Sequence, residues 1–356
     1  GVRAYQDDRY RLGGDSVWDC DGRQVDTQTM LSCAADSVGR MLGSGRENIF
    51  FGLDTSHVYS VFSSGLTIRP GDNVILPENG WMANRFAWQL REREGLSLRY
   101  VGPRNGGIQP EDIAAACDGH TRAVCLTLVD PANGFMLDAG AIGGICRERG
   151  IPFAVDATQA GGVLPIDVAA MGIDFLAAND YKWMMNFCGV GYGYVSPTLR
   201  SQLIQNAAGW IIYTDRADPH KRTLTLRGDA GRYELGYPNA PGIYGLGLVA
   251  DQYTALGGES IRSYVFGLID HLLGEIEGIS GVKCVSSLRQ ENRSAIVLLR
   301  ISPENSVSAE TLSAADIAAP LSAGPDGTQY MRVSVHYYNN REDIDRLTDI
   351  LRKGGN

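Results

Sequence analysis

Two side chains carry the chemistry this sequence suggests. Asp156 closes an apolar run at 152–156, and Lys182 follows a second such run at 175–178. In an open α/β sheet, ligand-binding groups gather where parallel strands end. Two strands ending side by side would bring a carboxylate and an amine to one mouth. The amine can form an imine with a carbonyl, and the carboxylate can keep a heterocyclic nitrogen protonated. A pyridoxal electron sink requires that partnership. Separately, each residue has a plainer reading. An aspartate after a strand is commonly a helix cap, and a lysine in a loop is a solvated charge.

The surrounding pattern supplies the elements that would hold them. Apolar, strand-like runs occupy 72–77, 96–101, 121–129, 152–156, 175–178 and 189–195. Helical patterns at 81–94, 109–116 and 139–149 lie between them. This alternation predicts an α/β fold with a mostly parallel sheet covered on both faces. From about residue 243 the character changes. Helices are predicted over 243–255 and 259–279, the second with an apolar face of Ile261, Val265, Leu268, Ile269, Leu272, Leu273 and Ile276. Strands at 295–300 and 330–335 and a helix at 341–352 follow. The expected division is a large domain, 1–255, and a small C-terminal α+β domain, 256–356.

Bulk properties exclude several classes. A net charge of −9 argues against a nucleic-acid surface. No apolar run is long enough to span a bilayer, and no signal-peptide pattern opens the chain. Cys20, Cys33, Cys117, Cys125, Cys146, Cys188 and Cys284 are scattered and odd in number. They read as reduced thiols of a cytoplasmic protein. The five histidines are isolated, so no metal site is expected. The chain begins with Gly1 and not Met, and its N-terminal segment is expected to be incomplete.

The segment from Val155 through Asp156, Gln159 and Asp167 to Asn179, Tyr181, Lys182 and Trp183 resembles the signature of a known family. It is similar to the class V aminotransferase and cysteine desulfurase group of fold-type I pyridoxal-phosphate enzymes. In that group an Asp-x-x-Gln is followed further along by a lysine. The resemblance runs from about Met30 to the C-terminus. It implies a large domain with a mostly parallel seven-stranded sheet, a small C-terminal domain, pyridoxal 5′-phosphate as cofactor and an amino acid as substrate. It also implies roles. Lys182 would attach the cofactor, Asp156 would pair with the ring nitrogen, and Gln159 would donate to the ring's phenolic oxygen. Asn179 and Tyr181 stand where the family has a phosphate-binding hydroxyl and a histidine. Thr55 and Ser56 match the turn that opens a phosphate-binding helix. Asp54 replaces that turn's glycine, and a carboxylate beside a phosphate is unfavourable unless it points away. Trp81 aligns with the group that stacks on the ring. Asn133 falls where relatives place a residue beside the cofactor. Arg332 would grip the substrate carboxylate with two parallel hydrogen bonds. Tyr237 lies in a segment that relatives extend to the partner subunit, which implies a homodimer with shared sites.

If Arg332 keeps the carboxylate near the ring plane, loss of the Cα proton is favoured, with Lys182 as acid and base. Racemisation, transamination and β-elimination all begin there. Cysteine desulfurases carry a mobile cysteine shortly before this arginine, and residues 318–329 contain none. The favoured reading is therefore a C–S lyase acting on a cysteine S-conjugate. It would belong to the isopenicillin-N-epimerase-like and C–S-lyase-like branch that serves natural-product pathways such as lincosamide biosynthesis. The alternatives are a decarboxylating, aldehyde-forming enzyme, an epimerase, an aminotransferase or an atypical cysteine desulfurase. A non-enzymatic scaffold is disfavoured, because both Lys182 and Asp156 are present.

Overall fold

The computed structural model describes residues 16–18, 24–214, 222, 223, 225–324 and 326–355. The expected incomplete opening segment lies outside them. A two-stranded ribbon, β1 (Ser16–Trp18) and β2 (Gln24–Asp26), leads into helix α1 (Thr27–Leu42). Seven strands then form one sheet: β3 (Ile49–Gly52), β4 (Asn73–Pro77), β5 (Ser97–Val101), β6 (Thr121–Thr127), β7 (Phe153–Asp156), β8 (Phe175–Asn179) and β9 (Gly191–Val195). Their order is β3-β9-β8-β7-β6-β4-β5. The pairs from β8 across to β5 are parallel, and β9 runs against both of its neighbours. The direction of β9 follows from its connection. The link from β8 contains no helix, and a parallel neighbour would need a helical crossover.

Helices α2 (Thr55–Gly65), α3 (Met82–Gln89), α4 (Pro110–Ala116) and α5 (Ala139–Arg149) connect the strands, and α6 (Pro197–Gln202) follows β9. Their ends carry local signals. Asp54 and Asp138 cap α2 and α5 through side-chain oxygens, and Gly150 closes α5 at φ 65°. The helix expected over 81–94 stops earlier. It ends at Gln89, and a 3-10 turn (Glu92–Glu94) leads to Gly95 at φ 84°.

Strand side chains alternate between two cores. On β6, Val124 and Leu126 face one cluster, while Ala123 and Cys125 face the other. The second cluster is aromatic: Phe62 of α2 stacks on Phe175 of β8 at 5.1 Å and meets Trp88 of α3 edge-on at 5.5 Å. Helices α7 (Ala240–Leu256) and α8 (Gly258–Ile276) meet at Gly257, φ 83°. An antiparallel sheet of order β10-β11-β13-β12 follows, made of β10 (Val282–Cys284), β11 (Ile296–Ile301), β12 (Leu321–Ala323) and β13 (Gln329–Ser334). Helices α9 (Ala309–Ala314) and α10 (Arg341–Gly354) complete this part. Among the described residues, no helix is long and apolar enough to cross a membrane.

Candidate active site

The parallel strands deliver their last residues to one edge of the sheet. Thr127 ends β6, Asp156 ends β7 and Asn179 ends β8. Lys182 follows in the turn after β8, Thr55 and Ser56 open α2, and Trp81 stands at the cap of α3. Arg332 reaches in from β13 of the second sheet. These residues line one cavity of about 510 Å³, together with Asp54, Pro131, Thr158, Gln159 and Tyr181.

Asp156 is 2% exposed and held at both oxygens. The backbone N–H of Thr158 donates to Oδ1 at 2.9 Å, and Asn84 Nδ2 donates to Oδ2 at 2.8 Å. Gln159 is oriented by Trp183, whose Nε1 donates to its Oε1 at 3.2 Å. That contact leaves the Gln159 amide NH2 as the end available to a ligand. Trp183 stacks on His336 at 5.5 Å, which wedges the residue beside the lysine.

Lys182 is half-buried, with Nζ 6.0 Å from the Trp81 ring centre. Burial lowers its pKa, Asp156 opposes that shift, and the Arg332 charge lowers it further. Its turn is clamped from below. Asn186 Nδ2 donates to Asp180 Oδ2 at 2.5 Å and to the Gly242 carbonyl at 2.7 Å. Asp180 is fully buried, which pushes its carboxyl up to about 7 against that hydrogen bond.

At the opposite wall, Asp54 Oδ1 accepts the His57 N–H at 2.7 Å, and the Thr55 and Thr158 hydroxyls pair at 2.9 Å. Gly191 is required beside them, since a Cβ there would lie 2.5 Å from the Asp54 backbone. Arg332 Nη1 donates to the Pro131 carbonyl at 3.0 Å. Three buried polar atoms of the cavity-lining residues lack a partner among the described residues: Thr127 Oγ1, Asn179 Oδ1 and Arg332 Nε.

Nine of the eleven residues singled out from the sequence therefore share this cavity, and two do not. Asn133 is engaged in its own turn. Its Nδ2 donates to the Gly106 carbonyl at 2.8 Å, and its Oδ1 accepts the Phe135 N–H at 2.9 Å. Tyr237 is 74% exposed and packs on Trp210, outside the cavity of its own chain. The sequence reading missed Asn84, Thr127, Thr158 and Asp180. Thr158 sits inside the Asp-x-x-Gln motif and was the one most open to discovery. Among the described residues, no cysteine lines the cavity. Cys188 is exposed, and Cys284 is half-buried on β10. Away from the cavity, His271, Glu275 and Asp345 bring ligand-type atoms within 4.8 Å of one another, with Glu275 paired to Arg352.

A family model described as aminotransferase class V matches residues 20–347. A probable cysteine desulfurase of Methanothermobacter thermautotrophicus is 27% identical over 339 residues, covering 91% of this chain and 83% of that protein. A cysteine desulfurase of Yersinia pseudotuberculosis is 27% identical over 343 residues, covering 92% and 82%. The apo structure of a cysteine desulfurase from Thermococcus onnurineus superposes with a TM-score of 0.82 at 20% identity, covering 92% of this chain and 84% of that one. A cystine C–S lyase in complex with cysteine persulfide superposes equally well, with a TM-score of 0.82 at 19% identity and coverage of 93% and 88%. The shared architecture is the fold-type I arrangement implied by the sequence.

Proposed function

Since the chain belongs to the aminotransferase class V family, we propose that it is a pyridoxal-phosphate enzyme that removes the Cα proton of an amino acid and eliminates a sulfur substituent from Cβ. The observation that carries this reading is the meeting of Lys182, Asp156 and Arg332 in one cavity. The donor set fits the cofactor. An amine faces a carboxylate already held by two donors, and the buried side chains of Asn179 and Thr127 each keep a polar atom that no described residue satisfies.

In this reading Lys182 attaches the cofactor and Asp156 faces its ring nitrogen. Gln159 turns its NH2 to the phenolic oxygen, and Trp81 covers the ring. Thr55, Ser56, Asn179 and Tyr181 serve the phosphate. Pyridoxal phosphate, when bound, supplies the electron sink for the negative charge left on Cα. Lys182 Nζ, with its pKa lowered by burial, accepts the Cα proton and can return it to the leaving sulfur. Arg332 holds the substrate carboxylate while its Nη1 stays anchored on Pro131. Loss of the Cβ–S bond leaves an enamine that water converts to a 2-oxo acid and ammonia.

Trp81 and Tyr181 line the cavity, and Phe187, Trp210 and Tyr237 are further large apolar side chains exposed on the surface. We assign this surface to a homodimer contact in which Tyr237 reaches toward the other protomer's site. The division at 255/256 belongs to the same reading, with Gly257 as the joint. The described cysteines are free thiols, which suits a cytoplasmic location.

A second reading is a cysteine desulfurase whose sulfur acceptor comes from outside the cavity. The names of the relatives favour it, and the absence of cysteine among the described residues of the cavity lining opposes it. The test is to incubate the cofactor-loaded protein with cystine, S-alkyl cysteines and cysteine, assaying 2-oxo acid, thiol and alanine. Elimination predicts 2-oxo acid together with a thiol from S-alkyl cysteines, sulfide from cysteine and a persulfide from cystine, unchanged in a Cys188→Ser/Cys284→Ser protein. Alanine, with sulfur carried on the protein, would favour the desulfurase. Carbon dioxide released as the first product would sink both.

A further inference from the structure

We propose that Asp54 is a specificity-determining residue that weakens the grip of this site on the cofactor's phosphate, leaving the cofactor exchangeable. The inference rests on the pyridoxal-phosphate reading above. Helix α2 presents its N-terminus to the cavity, and such an end attracts an anion through unpaired N–H groups and the helix dipole. Ser56, with a hydroxyl that can donate, and buried Asn179, whose side-chain amide carries an NH2, line the same cavity. Such donors and the helix end together make a cradle that suits an anion.

Asp54 works against that cradle in two ways. Its Oδ1 already accepts the N–H of His57, one of the donors a phosphate at this end would use. Its carboxylate also adds a fixed negative charge to the wall that would receive the phosphate. The carboxylate does not point away, because the capping bond turns it onto the helix end. The backbone under it is held by the close approach of Gly191. Among the described residues, nearby compensation is sparse. The Thr55 hydroxyl is paired with Thr158, and the cationic side chains lining the cavity are Lys182 and Arg332. Lys182 belongs to the ring end, and Arg332 is tied to Pro131. A phosphate therefore meets neutral hydroxyls, a partial positive charge and one full negative charge.

Serine and asparagine cap helices about as well as aspartate, so Asp54→Ser and Asp54→Asn keep the helix start and remove the charge. Apoprotein of all three forms is titrated with pyridoxal phosphate, with pyridoxal and with inorganic phosphate. The readouts are the visible absorption of the cofactor, the label fixed on Lys182 by borohydride, and thermal shift. We expect both variants to bind pyridoxal phosphate about tenfold more tightly at low salt, with the gain shrinking as salt is added. Inorganic phosphate should stabilise the variants more than the parent, and capture of unphosphorylated pyridoxal should be unchanged. Equal or weaker pyridoxal phosphate binding by both variants overturns the proposal. So does an equal gain for pyridoxal, since the effect would then not act on the phosphate. A parent chain that binds neither aldehyde overturns the cofactor reading, and this inference with it.

Discussion

Asn84 Nδ2 donates to Asp156 Oδ2 at 2.8 Å, joining helix α3 to the end of β7. Both residues are almost fully buried, so this bond fixes the direction of the carboxylate that faces the proposed ring nitrogen. Asn84→Ala should lower turnover by about tenfold, the effect of roughly one lost buried hydrogen bond. Cofactor content should be retained. Steady-state kinetics on protein of matched cofactor content checks this. Full activity would mean that the Thr158 N–H alone positions Asp156.

The lowered pKa of Lys182 gives a pH signature. Burial and the Arg332 charge both favour the neutral amine, and Asp156 opposes them. The Lys182 label trapped by borohydride should therefore appear at lower pH than labels on exposed lysines. Arg332→Met removes a neighbouring positive charge and should move the profile to higher pH. Asp156→Asn should move it lower. Arg332→Lys keeps the charge and should leave the profile near the parent's, yet it should not restore substrate affinity, because an ammonium lacks the planar fork. Peptide mapping across a pH series reads all four.

Stability should fall as the solution becomes alkaline. Burial pushes Asp180 and Glu234 each up to about 7, against hydrogen bonds from Asn186 and from the Phe51 N–H. A carboxyl with a raised folded-state pKa binds its proton more tightly in the folded chain. Its contribution is full below the unfolded carboxyl range and is lost as pH rises through about 7. Asp180→Asn can still accept from Asn186 but cannot ionise. At about pH 8 it should be more stable than the parent by roughly 1–3 kcal/mol, with little difference at pH 4. Urea midpoints across that range measure it. Asp180→Ala should be weaker throughout, because Asn186 loses one of its two acceptors and a small cavity is left.

Gly191→Ala tests the contact between β9 and α2. The added Cβ would lie 2.5 Å from the Asp54 backbone, inside any real contact distance. The turn at 53–55 must shift, at about 1–3 kcal/mol. Pyridoxal phosphate affinity should drop, while labelling of Lys182 by unphosphorylated pyridoxal should hold. Calorimetry and absorbance titration separate the two effects.

Local pattern in the sequence is enough to determine the α/β class, the positions of β4 to β8, and the placing of Asp156 and Lys182 where strands end. Each of those strands is four to seven residues long, and β6, β7 and β8 are mainly or wholly buried apolar runs. Burial shows in residue type without knowledge of the neighbours. Gln159 and Thr158 share one short motif with Asp156, so chain connectivity already brings them near. Arg332 was legible through family resemblance alone, since a strand arginine carries no local sign of where it points.

The tertiary structure decided the rest. It turned β9 against its neighbours, because the link from β8 is too short for a crossover. It held the Asn133 side chain between the Gly106 carbonyl and the Phe135 N–H. It set Asn84 on Asp156 across a separation of 72 residues, and it turned the Asp54 carboxylate onto the end of α2. Periodicity records which face of an element is buried. The partner that a polar side chain meets there is fixed only when distant elements pack and leave one acceptor or donor within reach.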